Sequence, residues 1–159
     1  RIADAAMLLA AIHADPNDDA ARQVYADLLA EHDDPRGTFI TLQLARAGRR
    51  PKPAELAAER AMLVKHAVGW MGSLAQLTGV KNRGNLRFER EDMGTVLFER
   101  GFLVECSLTG SAEQLLAAAG HRDLATVEEL MIWSAFVTRN VICASTSAIS
   151  GASQSEDSM

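Results

Sequence analysis

The sequence predicts an α/β chain in which helices come first and a small β-α-β unit follows. Three observations carry that prediction. Apolar residues recur at helical spacing as far as residue 68, the period changes to strand-like alternation near residue 85, and a capped helical stretch then separates two alternating runs. The 159 residues, 48% of them hydrophobic, suffice for a sizeable core in one domain or two small ones. A formal net charge of -5 argues against a general nucleic-acid binder, which needs a basic excess. Cys106 and Cys143 stand apart with no CxxC or His-rich companion, so free thiols in a reducing, cytoplasmic setting are expected. No apolar run approaches the roughly 20 residues a membrane span requires, and none is expected.

Each element has a local reason. Residues 2–14 (IADAAMLLAAIHA) read as a helix with Ile2, Leu9 and Ile12 near one face, stopped by Asp15, Pro16, Asn17 and Asp18. Asp18 or Asp19 can cap a second helix over 20–32, with Val24, Tyr25 and Leu28 as its apolar stripe. In DDPRG (33–37), Asp34 is a good N-cap and Pro35 suits the first helical position, where its missing N–H is no loss. Phe39, Ile40 and Leu44 then recur at helical spacing up to Gly48. GRRPKP (48–53) is a basic linker, and Pro53 to Val68 reads as a fourth helix with Leu56, Leu63, Val64 and Val68 inward. Alternation follows in Leu86 and Phe88, in Val96 and Phe98, and in Phe102, Val104, Cys106 and Leu108. Ser111 and Gln114 form a capping box opening a helix that ends at Gly120, and VEELMIW (127–133) is the next strand. The expected organisation is a helical module of about four helices, with boundaries at 1–48, a linker and further helix at 49–84, a β-α-β segment at 85–143, and a Ser-rich disordered tail at 144–159.

The two strands of the β-α-β unit also match each other. LVECSL (103–108) and VEELMI (127–132) both fit the LxxLxL core of a leucine-rich repeat, displaced by 24 residues, within the range of such repeats. Ser111 and Ala135 stand where that pattern has Asn or Cys, and a third copy near residue 151 is absent. The segment is therefore leucine-rich-repeat-like. Upstream, residues 8–45 resemble the bacterial repeat-companion domain, a short helical module that precedes leucine-rich or other repeats. The words VYAD (24–27) and DPRG (34–37) carry the resemblance, and FERGFLVECSL (98–108) is similar to the RRGF-type strand that often follows. Leu28 stands where the family usually has Trp, Ala21 where it has Pro, Asp33 where it has Gly, and Thr38 where it has Glu. Loss of the Trp implies looser packing of two helices, and a side chain at 33 works against a left-handed helix end. The resemblance implies an accessory to repeats and brings no catalytic residues.

Candidate chemistry is sparse. Asp15, Asn17 and Asp19 have the alternate spacing of a calcium loop, but Ala20 and Ala26 stand where that loop needs its Gly and bidentate Glu, so helix capping accounts for them. Glu31, His32, Asp33 and Asp34 read as a solvated helix end. Asp27 lies about one turn from the hinge, and an Asp27–Arg36 pair is expected to clamp helix two to helix three, making Asp27, Asp34, Pro35 and Arg36 a structural hinge. Arg46, Arg49, Arg50 and Lys52 form a basic patch that suits phosphate, an acidic partner or lipid headgroups, with Phe39 alone nearby to stack on bases. His13, His66 and His121 are scattered, Cys106 has no basic neighbour in sequence, and no GxGxxG, P-loop, HExxH or GxSxG occurs. No catalytic residue, metal ligand or cofactor is predicted. The leading expectation is a non-enzymatic protein-interaction module that caps the N-terminal edge of a repeat-like stack. It would bind another protein through Glu105, Ser107, Glu129, Met131 and Trp133, with Trp133 either an anchor or a core residue. The alternatives are nucleic-acid or anionic-surface binding through residues 46–52, and a metal-dependent or hydrolytic enzyme without a readable motif.

Overall fold

The computed structural model describes residues 2–134 and 137–142, so the tail expected to be disordered lies outside the described residues. The helices are α1 (Ile2–Ala14), α2 (Asp19–Ala30), α3 (Pro35–Ala45), α4 (Pro53–Met71), α5 (Leu74–Thr78) and α6 (Ala112–Ala118). The strands are β1 (Leu86–Arg87), β2 (Val96–Glu99), β3 (Phe102–Gly110), β4 (Glu129–Ser134) and β5 (Val137–Ile142). The chain is thus mixed helix and sheet, and the caps are those the sequence indicates. Asp18 Oδ1 accepts from the Ala21 N–H at 2.9 Å, and Asp34 Oδ1 from the Arg36 N–H at 2.9 Å with Pro35 opening α3. Ser111 Oγ accepts from the Gln114 N–H at 3.2 Å while Gln114 Oε1 accepts from the Ser111 N–H at 2.9 Å, closing both ends of the box. Asp33 takes φ +56° in the bend between α2 and α3. The side chain does not prevent that left-handed bend, because Asp is among the few L residues that enter it at modest cost.

The last letter of DPRG is set by helix contact. A Cβ on Gly37 would stand 2.5 Å from the Ala26 carbonyl oxygen and 2.8 Å from the Ala30 nitrogen, so α2 and α3 meet backbone to backbone there. The buried face of α2 is accordingly Arg22 and Ala26, whereas Val24 is 54% exposed. In α4 the buried positions are Glu59, Leu63, Ala67 and Met71, and Val64 and Val68 face water. Counting apolar residues misplaces both stripes, because each contains a buried charged residue that such counting assigns to solvent.

The sheet order is β1-β2-β3-β4-β5, with β1–β2 and β3–β4 parallel and β2–β3 and β4–β5 antiparallel. Cys106 pairs with Leu130 and Leu108 with Ile132, so the 24-residue displacement between the matched words is the register of neighbouring strands. The antiparallel β5 occupies the flank of β4 where a further parallel strand would lie. In β3, Leu103 pairs with Phe98 and Glu105 with Leu97, which leaves Val104 as an extra residue and makes a bulge. The bulge reverses the side-chain alternation. Leu103, Cys106 and Leu108 enter the main core with Phe39, Leu63 and Met71, while Phe102 turns into a second cluster with Ile12, Ala26 and Ile40. The single face expected for Phe102, Val104, Cys106 and Leu108 is therefore split, and α4 and α5 share the strands' core.

His13 closes α1 with its Nε2 buried and without a hydrogen-bond partner. Burial lowers its pKa below the usual 6.5, with Arg122, Arg36 and Arg22 pushing the same way and Asp123 opposing. The unfolded chain then takes up the proton at higher pH than the folded one, so the contribution is complete above 6.5 and is lost as pH falls through the lowered value. Urea midpoints are expected to fall between pH 7 and 5, and a His13→Gln variant should flatten that slope. An unchanged slope in the variant would remove His13 as its source.

Candidate interaction face

The five residues predicted to bind a partner share one side of the parallel pair. Glu105 stands opposite Glu129, Ser107 opposite Met131, and Thr109 opposite Trp133. Cys106 and Leu108, which alternate with them, lie in the main core with Leu130 packed against it, so that core covers the other side of the pair. Trp133 is 46% exposed, which makes it a surface residue and not a core one. Glu129 is exposed, Met131 half-buried and Ser107 buried. Thr109 belongs to the face and was missed by the sequence reading, although counting two residues from Ser107 would have found it.

Two arginines beside this face were also missed. Arg90 donates to Glu99 at 2.6 and 2.9 Å, to Glu105 at 2.8 Å and to Glu128 at 3.1 Å, and the bonds to Glu99 first and then Glu128 raise its pKa against the opposing effect of burial. Arg87 pairs with Glu105 as well and donates to the Arg90 carbonyl. Glu105 is therefore neutralised within the fold, whereas Glu129 is exposed and, among the described residues, takes part in no ion pair. The cleft between Arg87, Thr95, Ser107, Glu129 and Met131 has a volume of about 10 Å3, room for about one water, so the face holds no small-molecule pocket there.

The hinge turns toward a different target from the one expected. Asp34 and Pro35 open α3 as predicted, but Asp27 accepts from Gln23 Nε2 at 2.9 Å on the exposed side of α2. Arg36 points inward to the β2–β3 turn, donating from Nε to the Gly101 carbonyl at 3.4 Å with its guanidinium 5.0 Å from the Phe102 ring centre. The Asp27–Arg36 clamp is thus replaced by a clamp on the hairpin. Arg22 lies 4.6 Å from the same ring and donates to the Arg100 carbonyl at 2.9 Å; burial lowers its pKa to about 10, which leaves it charged at neutral pH. Gln43 Nε2 donates to the Phe98 carbonyl at 3.1 Å while its Oε1 accepts from the Gly101 N–H at 2.7 Å, so one amide holds both sides of the turn. DPRG and ERGF, far apart in sequence, are two halves of one joint.

The basic patch is divided. Arg46 turns inward to the buried Glu59 at 2.6 and 2.9 Å. Arg49 grips Glu55 at 2.6 and 2.9 Å and, with the Lys52 N–H at 2.8 Å, lowers that carboxyl to about 2. Arg50 and Lys52 remain outward on an open cleft of about 650 Å3 shared with Arg60 and Glu89. Asp15 Oδ1 accepts from the Asn17 N–H at 3.0 Å, and Asn17 and Asp19 accept from Arg100 at 3.2 and 3.4 Å, so those oxygens serve a turn and an arginine. Among the described residues no three His, Cys, Asp or Glu are grouped to hold a metal ion, and no helix is long and apolar enough to cross a membrane. Burial pushes the Cys106 thiol up to about 12, which leaves it protonated at neutral pH. Comparison with protein-family models, with curated proteins and with solved structures finds no match for this chain.

Proposed function

We propose that the chain is a non-enzymatic protein-interaction module that takes a protein partner on the face formed by β3 and β4. One observation carries this reading: Glu105, Ser107, Thr109, Glu129, Met131 and Trp133 line one side of the parallel pair while the core covers the other. Trp133 is 46% exposed beside the half-buried Met131, and Trp and Met are among the residues enriched at interface centres. Alanine at Glu129, Met131 and Trp133 together is expected to release a co-purifying partner, with Trp133 alone costing about 2 kcal/mol, roughly thirtyfold in affinity. A folded triple variant that retains every partner would sink the proposal.

An accessory place beside repeats, implied by the resemblance, draws support from β2, which pairs along β3 and covers a strand edge that would otherwise be open. The antiparallel β5 on β4 weighs against a parallel array continuing directly from that side. The anionic-partner reading rests on Arg50 and Lys52, since Arg46 and Arg49 already have carboxylates. Under it, affinity for DNA or RNA would fall steeply with salt and vanish when Arg50 and Lys52 are neutralised.

A further inference from the structure

We infer that the partner is an extended basic segment lying along β4, with cationic, apolar and cationic side chains at alternate positions; this rests on the interaction reading above. Charge selects the class. Arg87 and Arg90 pair with three carboxylates, Glu99, Glu105 and Glu128, and Glu129 adds a fourth beside them, so among the described side chains these six groups carry two more negative charges than positive ones. Among the described residues Glu129 takes part in no ion pair, and it is exposed beside the apolar part of the face.

Shape selects the conformation. Glu129, Met131 and Trp133 follow one another at every second residue of one strand, about 6.6 Å apart, which is also the spacing of same-side residues in an extended partner. A cation over Glu129 gains a carboxylate, an apolar side chain over Met131 meets an adaptable thioether, and a second cation over Trp133 meets the aromatic face that holds ammonium and guanidinium groups best. The cleft between the strands admits only about one water, so affinity comes from laying side chains across a surface and not from burying one deep anchor. Nucleic acid, a uniformly anionic partner, would meet like charge here.

The probe is the peptide Gly-Lys-Ser-Leu-Ser-Arg-Gly titrated into the full chain, followed by backbone amide NMR shifts, beside a control with both basic residues replaced by Glu. The expected result is saturable shifts in β3 and β4 centred on Glu129 to Trp133, weakening with salt, with no shifts from the acidic control. Glu129→Lys should weaken binding about tenfold and Trp133→Leu by a similar factor, while both variants keep the native amide spectrum elsewhere. Shifts from the acidic peptide, shifts mapping to another acidic surface, or no shifts at millimolar peptide would overturn the inference. If it fails while the alanine triple variant still releases a partner, the charge class is wrong and the interaction face stands. If the basic peptide binds and the triple variant keeps its partner, the interaction reading fails at this face.

Discussion

Gly101→Ala is expected to lose about 3 kcal/mol of stability or more, read as a drop in the urea midpoint at unchanged slope. Two costs combine. The residue has φ +84°, where a Cβ is strained by about 1–2 kcal/mol. That Cβ would also stand 2.1 Å from Ile40 Cγ1, 2.9 Å from its Cβ and 3.1 Å from its Cα, and forced overpacking of a core costs typically about 1–3 kcal/mol. Rotating Ile40 does not relieve the contact with Cβ and Cα, and Gly101 is anchored on both its N–H and its carbonyl by Gln43 and Arg36. Shortening Ile40 to Ala in the same chain should recover part of the loss, giving a coupling of opposite sign to the two single effects. A single variant within 1 kcal/mol of the parent would show that the turn shifts freely, against the packing described.

Removing the buried carboxylate is the second large effect. Glu59 is 2% exposed and receives Arg46 at 2.6 and 2.9 Å and Gln43 at 3.1 Å. Glu59→Ala leaves a guanidinium without its counter-charge and an amide without one acceptor, so a loss of about 2–3 kcal/mol is expected. That is below the cost of breaking a fully buried pair, because the Arg46 side chain is 18% exposed and can turn toward water. Glu59→Gln keeps an acceptor for Gln43 but not the charge, and its loss should fall between the parent and Glu59→Ala. Equal losses for the two variants would assign the whole effect to the charge, and a Glu59→Gln variant as stable as the parent would assign it to packing.

Much of the local structure was legible because it is written locally. Asp18, Asp34, Pro35, Ser111 and Gln114 are signals whose partners lie within a few residues, and the helix starts follow them. The β3–β4 pairing was legible because two similar words recur at a fixed distance, and the shared side of Glu105, Ser107, Glu129, Met131 and Trp133 followed from alternation alone. What was not legible depends on residues distant in sequence. Arg36 reaches across 65 residues to Gly101, and Gln43 across 58, so no local pattern distinguishes that joint from a pair with nearby Asp27. The valines of α2 and α4 were placed inward because hydropathy cannot show that Arg22 and Glu59 have partners waiting inside. The bulge at Val104 escaped for a similar reason: one extra residue in a strand leaves no mark in composition, yet it exchanges the two faces beyond it.

The joint also bears on how the chain is divided. The cluster of α1, α2 and α3 is completed by Phe102, a residue supplied from the start of β3, and two arginines and a glutamine of those helices are engaged with the same turn. A boundary drawn at residue 48 would cut through no helix, but it would remove the aromatic ring that fills the first part's interior and leave buried polar groups without acceptors. The helical part and the sheet are therefore not independent pieces joined by a tether. They are expected to unfold in one transition, because the ring and the carbonyls that satisfy the helices' buried groups belong to β3 and its turn.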